Sequence, residues 1–160
     1  MKRKLADDGE SSKTGAPMDL ALAEAEEARD LGEVPIGAVV VSADGKVLAR
    51  AGNRTLASCD PTAHAELLAI RAACAKLGSE RLSGCDLYVT LEPCAMCAAG
   101  ISFARIRRLY FGAPDPKGGA IEHGPRFFTQ ATCHHAPEIY GGIGEAASVA
   151  LLKSFFAARR

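Results

Sequence analysis

The sequence predicts an α/β fold in which helices pack in layers against a sheet. Segments rich in β-branched residues alternate with segments whose apolar residues recur near the 3.6-residue helical period. A strand-helix-strand-helix order of this kind is typical of layered α/β domains. With 160 residues, 48% of them hydrophobic, the chain can build one core without disulfide support.

The sequence of the first part of the chain predicts a tail, then a helix, then a hairpin. Residues 1–17 are rich in Lys, Asp, Glu, Ser and Gly, and we expect them to form a disordered tail that precedes a domain over 18–160. From Met18 the apolar residues follow a helical period. Residues 36–41 and 46–51 are β-rich and flank an Asp-Gly pair, which predicts a β-hairpin.

The rest of the chain continues the alternation. Thr62 is a candidate N-cap for a helix over 63–77, because an apolar face follows it and a glycine ends the run. The later elements that we expect are a strand over 87–91, a helix over 94–103, a strand over 107–111, a loop-rich segment over 112–136 and a helix over 146–156.

The charge distribution limits the kinds of partner. Lys+Arg and Asp+Glu are each 19, so the chain has no uniformly basic surface for nucleic acid. Residues 18–100 hold 7 basic and 12 acidic side chains, whereas residues 101–160 hold 8 basic and 4 acidic ones, so the C-terminal part is better suited to phosphates. No run of 18 apolar residues occurs and the N-terminus is not apolar, so we expect a soluble, cytoplasmic protein without a membrane span.

The cysteines favour a metal or redox site over disulfides. Six cysteines could form three bridges, but the sequence shows no secretory signal, and Cys94 and Cys97 have a C-x-x-C spacing. Cys74 lies on the apolar stripe of a predicted helix and is expected to be a small core residue.

Two short motifs together point to a catalytic zinc site. His64 and Glu66 begin one predicted helix, and Cys94 and Cys97, preceded by a proline, begin another, which gives the H-x-E…P-C-x-x-C pattern. Two thiolates three residues apart on a first helical turn share a face and can bind one metal with the imidazole. We therefore expect one Zn²⁺ per chain with a water as the fourth ligand, and Glu66 as the group that moves the proton of that water.

Each half of this pattern has an ordinary alternative. A lone His-x-Glu is more often a plain helix start, and a lone C-x-x-C also occurs in redox sites and structural zinc sites. A closed structural zinc site needs a fourth protein ligand, for which Cys59 and Cys133 are candidates without a motif. In a non-catalytic zinc module, however, Glu66 would have no role, so the combined motif favours catalysis.

Further stretches carry a family resemblance over about residues 18 to 160. Residues 34–39, 52–54, 60–66, 90–98 and 111–113 resemble the tRNA adenosine deaminases of the cytidine/deoxycytidylate deaminase superfamily. The resemblance implies a three-layer α/β/α cytidine deaminase-like fold with a mixed five-stranded sheet, often a homodimer. It also implies zinc-dependent conversion of the wobble adenosine to inosine in a tRNA anticodon stem-loop.

The resemblance also implies substrate contacts. Asn53 matches a residue that contacts the flipped base or its sugar, although an asparagine at a hairpin end can instead bond its own backbone. Asp115 and Lys117 match a loop beside the substrate backbone, and are otherwise solvated turn charges. Exposed Phe127 and Phe128 could stack on unpaired bases, whereas adjacent phenylalanines in a loop more often pack one ring inward.

The sequence departs from the family pattern over residues 122–128 and 133–135, beside the expected substrate site. A deaminase of a free base or nucleoside, of the guanine or cytosine type, is therefore the alternative function. His134 and His135 are not expected to bind zinc, because three ligands are already assigned. The terminal residues Arg159 and Arg160 could reach RNA, or could be solvated charges that suit a helix C-terminus.

Overall fold

The computed structural model describes residues 11–159, and over these residues the chain forms four α-helices, five strands and one short 3-10 helix. In chain order they are α1 (Ser11–Asp30), β1 (Gly37–Val41), β2 (Val47–Gly52), α2 (Ala65–Leu77), β3 (Asp86–Leu91), α3 (Ala95–Phe103), β4 (Arg108–Ala113), the 3-10 helix (Phe127–Thr129), β5 (Glu138–Gly141) and α4 (Glu145–Ala157).

The five strands form one mixed sheet in the order β2-β1-β3-β4-β5. β1 is antiparallel to both β2 and β3, whereas β4 is parallel to both β3 and β5. The predicted mixed five-stranded sheet is therefore confirmed. In the parallel half, the carboxyl ends of β3 and β4 lie side by side, so the segments that follow these strands leave the sheet at the same edge.

Helices cover both faces of the sheet. Ala38 and Val40 of β1 belong to a core cluster with residues of α2 and α3. Val39 and Val41 point to the opposite face and belong to a cluster with α1. Because α4 contacts α1 and β4, it lies in the same layer as α1. The three-layer α/β/α architecture is therefore confirmed, and α2 and α3 share one layer.

Most predicted elements lie within two residues of their observed bounds, but two features differ. Helix α1 begins at Ser11 and not at Met18, where the apolar period begins in the sequence, while residues 1–10 of the expected tail lie outside the described part. The Ser, Lys, Thr and Gly residues of this extension form no apolar stripe, so periodicity cannot reveal it. Strand β5 was not predicted from its residues, because it is four residues long and fully buries Ile139 alone.

All six cysteines are free, as the C-x-x-C reasoning predicted. Between residues 11 and 159, no helix has both the length and the apolar character needed to cross a membrane.

Candidate metal centre and active site

The side chains of the combined motif meet where α2 and α3 begin. His64 is the N-cap residue of α2, and Cys94 is the N-cap residue of α3. An N-cap side chain commonly bonds the backbone of its own helix, but neither of these does so. Cys97 is buried in the first turn of α3. Three potential ligands are therefore brought together by two helix starts in one layer.

The spacing of these side chains fits a zinc ion. The Nδ1 atom of His64 lies 3.7 Å from the Sγ of Cys94 and 3.5 Å from the Sγ of Cys97. Bonds of the lengths usual for zinc place the sulfur and nitrogen ligands of a tetrahedral ion about 3.6 Å apart. Two thiols and an imidazole are also donors that zinc prefers. Among residues 11–159, the ligand atoms of His64, Cys94 and Cys97 lie within 4.8 Å of one another. His134 and His135 are not part of this group.

The two thiols differ in proton affinity. A hydrogen bond from the thiol of Cys97 lowers the pKa of Cys94 to about 5, against the opposing effect of burial. The same interaction with Cys94, together with burial, raises the pKa of Cys97. One negative charge is therefore stabilised on this pair by the protein itself. A cation between the sulfurs and the N-terminal ends of two helices favour ionisation of both thiols.

Glu66 is a buried acid beside this group. It lies in the first turn of α2 and is 4% exposed. Burial raises the pKa of its carboxyl, and a hydrogen bond from its own backbone N–H offsets only part of this effect. A buried carboxyl with a raised pKa next to a candidate metal site has the properties of a proton carrier.

Asn53 supports the start of α2. It follows β2 directly and is buried, and its Oδ1 accepts a 2.8 Å hydrogen bond from the backbone N–H of Ala65. Asn53 therefore supplies the capping interaction that the side chain of His64 does not make. The alternative in which Asn53 bonds its own hairpin backbone is not observed. With the amide oxygen engaged, the NH₂ group is the one left to donate to a ligand.

The loop that follows β4 runs beside the cysteines. The backbone N–H of Ala120 donates to the carbonyl of Pro93 at 2.9 Å, next to Cys94. Within this loop, Oδ1 of the half-buried Asp115 accepts the backbone N–H groups of Lys117 and Gly118. Asp115 thus forms a turn with one carboxylate oxygen, and the side chain of Lys117 is exposed. Both residues lie on a loop that is attached to the metal-binding segment.

Of the two arrangements that the sequence left open for the phenylalanines, the structure shows inward packing, and it packs both rings inward and not one. Phe127 and Phe128 are half-buried and pack against the main core, with their rings edge to face at 6.0 Å between centroids. Burial of aromatic surface explains the difference, since each ring gains more from the core than from water. Arg159 is also engaged, because its guanidinium lies 3.4 Å from the centroid of Phe155, while Arg160 lies outside the described residues.

Two buried glutamates beside the site were not singled out from the sequence. Glu33 is 1% exposed and accepts the backbone N–H groups of Leu56 and Ala57 at 2.9 and 2.8 Å, which holds the loop that precedes α2. Glu92 is 2% exposed and receives hydrogen bonds from the loop after β4. The partners of both lie more than twenty residues away. The signal available for Glu92 was a charged residue at the end of an apolar strand, directly before a proline.

The fold is a mixed sheet between two helix layers, and the site is a His/Cys/Cys group at two helix starts with a glutamate two residues beyond the histidine. Together they define the class of zinc-dependent nucleobase deaminases. Comparison with known proteins agrees. The family model described as the cytidine and deoxycytidylate deaminase zinc-binding region matches residues 11–113, and the chain belongs to this family.

The chain is also similar to individual proteins with named activities. The chain is 64% identical over 143 residues to the tRNA-specific adenosine deaminase of Agrobacterium fabrum, covering 89% of this chain and 93% of the relative. A solved structure from work on A-to-I editing by tRNA:A34 deaminases has a TM-score of 0.84 and 64% identity, covering 86% of this chain and 99% of that one. The guanine deaminase of Bacillus subtilis is similar at a TM-score of 0.60 and 41% identity, covering 62% of this chain and 63% of that one.

Proposed function

We propose that this chain catalyses the zinc-dependent hydrolytic deamination of adenosine to inosine at the wobble position of a tRNA anticodon. The main support for this reaction is that His64, Cys94 and Cys97 lie close together beside the buried carboxyl of Glu66. The choice of tRNA over a free base is supported by the 64% identity to a tRNA-specific adenosine deaminase along almost the whole chain.

His64, Cys94 and Cys97 would hold one zinc ion, with a water as its fourth ligand. Zinc, when bound, supplies a Lewis acid that makes the attacking water more acidic. Glu66 would take the two protons of the attacking water in turn and deliver one to N1 of the base and the other to the leaving amine. The oxygen of water ends on C6, the bond from C6 to the exocyclic nitrogen breaks, and ammonia leaves. Asn53 donates its amide NH₂ to the flipped nucleoside and so orients it.

The remaining substrate contacts that we propose are made by the loop after β4 and the segment that follows it. We place Asp115 and Lys117 against the sugar-phosphate backbone of the anticodon loop, and Phe127 and Phe128 at the border of the same site. The basic excess of residues 101–160 supports an RNA partner. The family resemblance supports a deaminase domain over 18–160, a homodimer and a cytoplasmic location.

A substrate panel tests the function. The zinc-loaded protein would be incubated with an anticodon stem-loop that carries adenosine at the wobble position, and separately with adenosine, guanine and cytidine, and the products would be measured by mass spectrometry. We expect inosine from the stem-loop and no turnover of the free compounds. The matched control is the same stem-loop with guanosine at that position. Xanthine from guanine without inosine from the stem-loop would replace this proposal with the free-base alternative.

A further inference from the structure

One buried carboxylate connects the metal-binding segment to the loop that carries Asp115 and Lys117. Glu92 directly follows the last residue of β3 and precedes Cys94 by two positions. Its side chain has no exposed surface. A buried carboxylate is costly unless hydrogen bonds satisfy its oxygens, so the partners of Glu92 indicate what this group does in the fold.

All of the hydrogen bonds recorded for the carboxylate of Glu92 come from one loop. Its Oε1 accepts the backbone N–H of Asp115 at 3.1 Å and lies 2.7 Å from Nδ1 of His123. Its Oε2 lies 3.2 Å from each of three consecutive backbone N–H donors, those of Ile121, Glu122 and His123. Four backbone N–H groups and one imidazole nitrogen of this loop therefore surround the two oxygens of Glu92.

The loop is shaped to fit around this carboxylate. A Cβ atom on Gly119 would lie 2.2 Å from Oε2 of Glu92 and 2.5 Å from the carbonyl oxygen of Asp115, so any larger residue would displace the loop. Residues 114–118 bury no side chain, and apolar packing therefore does not fix their position. The bond from Asp115 to Glu92 is what ties this part of the loop to the protein interior.

We propose that Glu92 is a positioning residue for substrate binding, whose buried carboxylate holds the loop over 115–123, and with it Asp115 and Lys117, at a fixed place beside Cys94. This inference rests on the proposed function, since it assigns the loop to the RNA. An apolar side chain could fill the same volume without charge. The two oxygens of the carboxylate, in contrast, accept hydrogen bonds from five donors in fixed directions, and these directions define where the loop lies.

The variant Glu92→Gln tests the proposal with little change in size. In either orientation of the amide, an NH₂ group faces at least one backbone N–H that has lost its acceptor. Because the loop contacts flanking nucleotides and not the reacting atoms, we expect KM for the stem-loop to rise about tenfold while kcat changes less than about threefold. Zinc content, measured by metal analysis, should equal that of the wild type.

Two further variants keep the test decisive if Glu92→Gln folds poorly. His123→Ala removes one partner of Oε1 from a half-exposed position, and should raise KM in the same direction by a smaller factor. Glu122→Gln keeps the backbone N–H that Glu122 donates to Glu92 and changes only a side chain that does not bond Glu92, so loop order should be retained. Because Glu122 belongs to the proposed loop, the unchanged control is Glu80→Gln, the same chemical change at an exposed glutamate outside the loop, which should leave KM, kcat and zinc content unchanged.

Hydrogen exchange reports on the loop without reference to activity. In Glu92→Gln, peptides that cover residues 113–123 should exchange faster than in the wild type, whereas peptides that cover α3 should not change. Unchanged KM in both Glu92→Gln and His123→Ala would overturn the proposal. So would a parallel loss of zinc and kcat at constant KM, because Glu92 would then act on the metal segment. If the wild type makes no inosine, the proposed function fails, and the exchange data still decide whether Glu92 orders the loop.

Discussion

The two helix starts and the loop after β4 lie side by side at the candidate active site, but they are positioned in different ways. His64 and Cys94 are the N-cap residues of their own helices, and Asn53, 12 residues from Ala65, supports the start of α2. The loop that carries Asp115 is placed by Glu92, which is 23 residues distant in sequence. The comparison teaches that the spacing of the metal-binding group is largely a local property of two helix starts, whereas the position of the loop depends on hydrogen bonds between segments distant in sequence.

Removing a metal ligand is the strongest test of the site at the two helix starts. We expect wild-type protein to hold about one zinc per chain, and His64→Ala, Cys94→Ala and Cys97→Ala each to lose zinc together with all measurable deamination, because each removes one of three protein ligands. Metal analysis and inosine formation on the stem-loop measure both effects. Cys59→Ala, at an exposed thiol, is the matched control and should retain both. Full zinc occupancy in all three ligand variants would contradict the site.

Glu66→Gln separates chemistry from metal binding at the same helix start. The amide is nearly the same size but cannot relay a proton, so kcat should fall by roughly 10²–10⁴-fold while zinc content is retained. Burial already raises the pKa of the Glu66 carboxyl, so a neutral amide is tolerated there and thermal stability should not fall. Substantial turnover by this variant would show that another group carries the proton.

These two regions also differ in how far the sequence predicts them. The His64 and Cys94 motifs predict the metal group correctly, because ligand spacing on a helical turn is a local property. The hairpin and the central helices follow from periodicity for the same reason. Local patterns mark Glu92 as an unusual charge and favour an inward phenylalanine ring, but the partners of Glu92 and Phe127 are distant in sequence, so these patterns do not identify them. The early start of α1 was missed because the sequence of its first residues, Ser11 to Gly15, carries no apolar period.

Asn53 lies between the two regions, because its side chain both supports α2 and is expected to contact the base. Asn53→Asp keeps the oxygen that accepts the N–H of Ala65 but loses the NH₂ donor. We expect stability close to that of the wild type and kcat/KM about 10- to 100-fold lower, the range expected for one missing hydrogen bond at a buried site.

Asn53→Ala is the companion variant, since it removes both functions. It should lose the same activity and, in addition, about 1 kcal/mol of unfolding free energy through the lost helix cap. Thermal melting and stem-loop kinetics together distinguish the two effects. Wild-type kcat/KM in Asn53→Asp would mean that the amide supports α2 alone and does not contact the substrate.

The smallest expected effect concerns Asp115 on the loop side. We expect its carboxylate to accept a hydrogen bond from a ribose 2′-hydroxyl next to the flipped base, because an ionised carboxylate can only accept. Deoxyribose offers no such donor, so on DNA the carboxylate would face a phosphate without a compensating bond. Asp115→Asn removes the negative charge, and it retains an oxygen for the turn with Lys117 and Gly118. The ratio of DNA to RNA deamination should therefore rise several-fold, mainly through faster DNA turnover.

Matched RNA and DNA stem-loops measure this ratio for the wild type and for two variants. Asp115→Glu keeps the charge on a longer side chain and should leave DNA disfavoured, which separates the effect of charge from that of a disturbed turn. If Asp115→Asn and Asp115→Glu both raised the ratio, the turn and not the charge would set the preference. If neither did, the loop after β4 would not contact the sugar, and the carboxylate of Asp115 would serve the turn with Lys117 and Gly118 alone.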